Sequence, residues 1–329
     1  MSNLETRPDE SSCGGVSNLD PSPPEQTLVP REVPLGGPKG VHVLRTLPHR
    51  EIRTVGAWCF LDHYGPVDLH AVGERGMQVP PHPHIGLQTV SWLLEGEVEH
   101  RDSVGGHAIV RPGEMNLMTA GRGIAHSEYS LPTTPRLFGV QLWVALPEEH
   151  RSRSPHFEYH ADLPRVAVGA TTATVLMGEF AGALSGAATY TPIVGAEVMV
   201  PPGGATLLPL ERGFEYAVLT AEGFAQVGGA RVPAGSLHSL GWGRESVRVE
   251  SEAGTTLLVL GGEPLAERLL MWWNFVARDH DEIVAAREAW VAGLDRFGEV
   301  VGDSHPRLPA PPLPGTRMKP RSSRPRPTQ

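Results

Sequence analysis

Short apolar, β-branched runs punctuated by glycine and proline recur along most of the chain. This is the pattern of an all-β protein with many turns. In the first half the runs fall at residues 41–45, 54–61, 87–94, 98–103, 107–111, 116–120 and 137–146. Val104-Gly105-Gly106 reads as a hairpin turn, and Pro112-Gly113 and Pro147 stop the strands before them. Strands at this spacing predict a small β-barrel or jelly roll. A polar connector follows from Glu148 to about His160. The pattern then returns at 166–168, 173–177, 196–200, 205–210, 215–219, 247–249 and 255–260, with turns at Gly228-Gly229 and Pro233-Ala234-Gly235. A second barrel of the same kind is expected, although no internal sequence repeat accompanies it. The stretch 269–277 is apolar on both faces and predicts a buried strand. Asp279, with Glu282 three residues on, forms a capping box, and Ile283, Ala286 and Trp290 recur at helical spacing. One helix to about Ala292, ended by Gly293, completes the expected architecture.

Composition sets the limits of the two barrels. Residues 1–26 are rich in Ser, Pro, Asp and Glu and predict a disordered leader; residues 303–329 are Pro- and Arg-rich and predict a disordered, solvated tail. The expected domains are then 27–147 and 148–302, the second ending in the helix. A net charge of −9 over 329 residues argues against a nucleic-acid footprint. No apolar run approaches the length of a membrane span. The polar, acidic N-terminus lacks the apolar core of a signal peptide. Cys13 and Cys59 do not suggest a disulfide framework, which fits a reducing compartment. A cytoplasmic protein is expected.

The chemistry concentrates between Pro80 and Glu128. His82-Pro83-His84 and His126-Ser127-Glu128 each place two metal-type ligands one residue apart. In a strand, residues i and i+2 share a face, so two facing strands would gather three imidazoles and one carboxylate around one point. That set suits Fe, Ni, Co, Cu, Mn or Zn. Four ligands saturate tetrahedral zinc, whereas a metal of higher coordination keeps positions for water, dioxygen or substrate. Glu128, the anionic member, is the natural general base. Pro81 and Pro83 stiffen the backbone beside the imidazoles. Alternation would send some of the charged run of Glu95, Glu97, Glu99, His100, Arg101 and Asp102 inward, but the run reads as a solvated hairpin edge with local ion pairs. His63 and His107 read as pocket or core histidines, and His238 as structural or exposed. Met115, Leu117 and Met118 read as barrel packing, and Trp272 and Trp273 as core. Gly121-Arg122-Gly123 lacks the strand-to-helix setting of a phosphate loop.

These motifs resemble the pirin family. The resemblance rests on His82-Pro83-His84-Ile85-Gly86, on residues 93–103, on Pro112-Gly113-Glu114 and on residues 118–128, with Phe60-Leu61-Asp62-His63-Tyr64-Gly65-Pro66 and Gly261-Gly262-Glu263-Pro264-Leu265 in support. It covers roughly residues 28 to 300. It implies a bicupin fold, two jelly-roll β-barrels with one mononuclear metal, usually iron, in the first. It maps the ligands onto His82, His84, His126 and Glu128. One departure is Gln88, where the family commonly has Glu, which is expected to alter polarity near the site. The resemblance implies two alternative roles. One is a quercetin 2,3-dioxygenase that opens flavonols with O2 and releases CO, with Glu128 taking the 3-hydroxyl proton. The other is a redox-responsive regulator acting through a protein partner. Neither implies contact with nucleic acid or membrane.

Overall fold

A computed structural model describes residues 3–15, 22–35, 41–71 and 76–320. Side-chain alternation within strands decides where each barrel's inside lies. Along Leu87–Glu95, Val90 and Trp92 face outward into a shared interface, while Leu93 packs into the first barrel. Along Arg136–Ala145, Val140, Leu142 and Val144 face that same interface, and Leu137 and Trp143 face inward.

Among the described residues, the first barrel closes a seven-stranded sheet over a four-stranded one. The larger runs His156–His160, Met115–Thr119, Leu87–Glu95, Arg136–Ala145, Trp58–Asp68, Val41–Leu47 and Arg31–Leu35. The smaller runs Gln78–His84, Ile124–Ser130, Val98–Asp102 and His107–Val110. The second barrel repeats this plan, with Ile193–Val200, Thr255–Gly262 and Glu215–Thr220 central in its larger sheet. This is the expected bicupin. The helix His280–Ala292 is the helix the capping box predicted: Asp279 accepts the Glu282 N–H, and Gly293 closes it at φ 68°. No helix among the described residues is long and apolar enough to cross a membrane.

The barrels pack through their large sheets. Leu61, Val90, Trp92 and Leu142 from one meet Leu176, Ala217, Leu219 and Leu258 from the other. Trp58 crosses the interface, its indole N–H reaching the carbonyls of Val194 and Gly261 at 3.1 and 3.2 Å. The two interiors differ in kind. Val175, Val198, Val218, Val249 and Leu257 help fill the second barrel with apolar side chains. The middle of the first barrel holds polar groups.

Five expectations change. The leader is not structureless: Ser11–Gly14 pairs antiparallel with Arg268–Met271, burying Cys13 against Met271. An edge strand with open backbone groups accepts such an addition even from a polar segment. Residues 1–2 and 16–21 of the leader, and 321–329 of the tail, lie outside the described residues. Gln26–Leu28 joins the second barrel by pairing with Leu237–Ser239. His156–His160, read as connector, extends the first barrel's large sheet. The stretch 269–277 is a hairpin, Arg268–Trp272 and Phe275–Ala277, turning at Trp273, whose φ is 54°. It is apolar on both faces because it lies between the first barrel and the helix, with Ile85 and Ala125 in the same cluster. The tail packs over that helix: Met318 is buried, Trp290 donates to the Leu308 carbonyl, and the Arg307 guanidinium lies 3.6 Å over the Trp290 ring. A few well-spaced apolar residues order it despite its composition.

Candidate metal centre

Adjacent strands of the small sheet carry the candidate residues. His82 lies opposite His126 in the register of Gln78–His84 against Ile124–Ser130. On the other side of Ile124–Ser130, Asp102 lies opposite His126 and His100 opposite Glu128. Period-two alternation sends all of these, with His84, to the inner face. None exceeds 2% exposure.

Each of the three expected histidines has its Nδ1 engaged. His82 Nδ1 donates to the Pro80 carbonyl at 2.8 Å, and His84 Nδ1 to the Asn274 carbonyl at 3.1 Å. His126 Nδ1 lies 3.3 Å from His100 Nδ1. The Asn274 carbonyl reaches His84 because the closing hairpin docks on Gly86, where a Cβ would come within 2.1 Å of the Val276 oxygen. His84 Nε2 and His126 Nε2 are 3.1 Å apart. Two imidazole nitrogens bound to one divalent ion at about 2.1 Å each sit near this separation. His82, His84 and His126 each offer a ligand atom within 4.8 Å of the others. His126, Glu128 and His100 form a second such group.

Electrostatics favour the same use. Burial lowers the His82 pKa to about 4. Burial, then the neighbouring imidazoles, holds His84 and His126 well below the ordinary value. These rings are neutral at pH 7, with no proton for a metal to displace. Burial opposes ionisation of Glu128, but electrostatic interactions with its surroundings hold its pKa below the ordinary value. Three neutral imidazoles and a carboxylate fit a divalent transition metal.

The other inward groups face the centre from the large sheet. Ser91 Oγ lies 3.2 Å from Glu128 Oε1 and 2.8 Å from Gln141 Oε1. Trp143 sets its edge against His84 at 5.3 Å and stacks on Phe60 at 4.0 Å. Beyond that stack a cleft of about 530 Å³ opens, lined by Arg45, Trp273 and, from the leader, Asn3 and Glu5.

A family model described as Pirin matches residues 40–144, and one described as Pirin C-terminal cupin domain matches residues 195–298. The chain belongs to the pirin family. A Pseudomonas aeruginosa relative that carries the provisional name quercetin 2,3-dioxygenase is 43% identical over 95% of this chain and 98% of its own. Human Pirin is 30% identical over 75% of this chain and 85% of its own. The crystal structure of quercetin 2,3-dioxygenase from Acinetobacter baumannii superposes with a TM-score of 0.86 at 40% identity, covering 90% of this chain and 98% of that one.

Within this pirin, several expectations about neighbours change. The charged run divides by alternation. Glu97 and Glu99 pair outward with Arg111 at 2.6 Å and with Arg101 and His107 at 2.7 and 2.8 Å, as a solvated edge should. His100 and Asp102 are the members that alternation turns inward to the centre, and the reading as a solvated edge did not single them out. The strand register against His126 and Glu128 was the signal that could have found them. Gln88 does not face the centre; it donates to Thr119 and to the Ala188 carbonyl of the second barrel. His63 is buried edge-on to Phe138, and His107 is exposed. His238 is structural, bonded to Thr27 and Glu25. Met115 and Leu117 pack between the barrels, and Met118 packs inside the first.

Proposed function

We propose that this pirin holds one divalent transition metal, iron in the native state, through His82, His84, His126 and Glu128, and uses it as a quercetin 2,3-dioxygenase. The observation that carries the reading is the convergence of imidazole Nε2 atoms whose Nδ1 atoms are engaged elsewhere. The likeness to quercetin 2,3-dioxygenase from Acinetobacter baumannii supports the substrate class. When bound, the metal would supply Lewis acidity toward the flavonol oxygens and access to dioxygen chemistry. The protein supplies the rest. Glu128 takes the proton of the flavonol 3-hydroxyl, and Ser91, within hydrogen-bond reach, steadies the carboxylate. Trp143 and Phe60 wall the centre with aromatic surface and keep water from the reacting carbon. Overall, one flavonol and one O2 give one ring-opened ester and one CO.

The test is oxygen uptake by the iron-loaded protein with quercetin, beside His82→Ala. Uptake with matching CO release that vanishes in the variant is expected. No uptake from protein that carries its metal would overturn the assignment and leave a metal-dependent contact with a regulatory partner as the reading.

A further inference from the structure

Asp102 and His100 lie outside the expected ligand set, and they join the hairpin loop to His126 by a continuous chain of hydrogen bonds. Asp102 Oδ1 accepts the backbone N–H groups of Val104 and Gly106 at 2.9 and 2.8 Å. Asp102 Oδ2 lies 3.0 Å from His100 Nε2, and His100 Nδ1 lies 3.3 Å from His126 Nδ1. The parts are tightly held. A Cβ on Gly106 would come within 2.1 Å of Asp102 Oδ2, and the His100 ring stacks on Phe157 at 4.5 Å and 11°.

We infer that Asp102 and His100 form a relay that fixes the tautomer of His126 and so keeps its metal-facing nitrogen unprotonated. The inference rests on metal binding at His126, not on flavonol turnover. The chain has a direction, set at the loop. Backbone N–H groups only donate, so Asp102 Oδ1 must accept. A carboxylate also accepts at Oδ2, so His100 donates from Nε2 and presents a lone pair at Nδ1. That lone pair takes the proton of His126 Nδ1. His126 Nε2 is then left with a lone pair, pointed at His84 Nε2, where the metal would sit. Each step has one donor and one acceptor, and with one proton on each ring no other assignment satisfies both the loop and a metal. Both groups are therefore positioning residues, acting through His126.

The relay makes a specific demand on an isosteric change. In Asp102→Asn the two loop N–H groups retain the side-chain oxygen, so the amide NH2 must face His100. His100 then has to accept at Nε2 and donate from Nδ1. His126 has to accept at Nδ1 and carry its proton on Nε2, the nitrogen meant for the metal. Removing His100 breaks the relay, and Asn at position 102 then has nothing to invert.

The test is cobalt(II) binding to the full chain by competition with a chromophoric chelator, in wild type, Asp102→Asn, His100→Ala and the double variant. Asp102→Asn is expected to bind about 10–100-fold more weakly, the range found when hydrogen-bond partners of metal ligands are lost. The double variant should bind no more weakly than His100→Ala alone. Equal affinity of Asp102→Asn and wild type would overturn the relay, and so would additive losses in the double variant. Absence of cobalt binding by wild type would overturn the metal site itself, a separate failure. Should Asp102→Asn not fold, 15N NMR of wild-type His126 decides: a proton on Nδ1 is expected, and a proton on Nε2 would overturn the relay.

Discussion

The Arg45–Asp62 pair offers the most severe test of the packing around the centre. Arg45 Nε and Nη2 meet both Asp62 oxygens at 2.6 and 2.7 Å, with side chains 1% and 0% exposed. Above them the Arg45 guanidinium lies 4.4 Å over Phe60, which stacks on Trp143 beside His84. Asp62→Leu would strand a buried cation. Removing one partner of a buried pair costs about 3–5 kcal/mol. Glu5, 3.1 Å from Arg45 Nη1 and part-exposed, supplies some replacement charge, so about 3 kcal/mol is expected. Unfolding entropy of about 2.1 cal/mol/K per residue gives a chain of this size ~0.7 kcal/mol/K, so Tm should fall by about 4 °C if the barrels melt together. Arg45→Met combined with Asp62→Leu removes both charges and should recover most of the loss, because apolar replacements of buried pairs are often neutral or better. Urea unfolding followed by tryptophan fluorescence and circular dichroism reads both variants. A single variant as stable as wild type, or a double variant as unstable as the single, would refute the reasoning.

Chelation should lower Tm and metal should restore it; a ligand at a thousand times its Kd adds about 4 kcal/mol to stability, which a thermal scan in each state measures. Gly195→Val should destabilise the contact between barrels, since a Cβ there comes within 2.9 Å of the Trp58 ring; loss of stability in denaturant titration checks it, with Trp58→Phe as the milder partner change. Acid should also weaken the fold through His63, whose pKa burial lowers from 6.5 to about 4. The unfolded chain binds the proton more readily, so this contribution is complete above pH 6.5 and is lost as pH falls toward 4, at ~1.4 kcal/mol per pH unit. His63→Phe should flatten that part of the pH–stability curve measured on chelated protein.

The strand pattern made both barrels legible, because each strand needs only local alternation and a turn. The spacing of the candidate ligands was legible for the same reason: His82 with His84, and His126 with Glu128, sit at strand period; the structure groups the three histidines, and sets Glu128 with His126 and His100. What crosses between strands was hidden. His100 and Asp102 look like the charged residues beside them until pairing with Ile124–Ser130 shows which face they occupy. Leader and tail were misjudged because composition averages over a segment, whereas order came from single residues, Cys13 on one edge strand and Met318 on the helix. Gln88 was placed near the centre by the family resemblance, yet its side chain turns away to Thr119 and to the Ala188 carbonyl of the second barrel.

The account stands on one metal gathered by strands that the sequence keeps far apart. Elemental analysis of the purified, dialysed chain, beside His84→Ala and His126→Ala, tests this most directly. The account predicts one divalent transition metal per chain in the wild type and none retained in either variant, with all three folded by circular dichroism. Metal held equally by the wild type and both variants would contradict it.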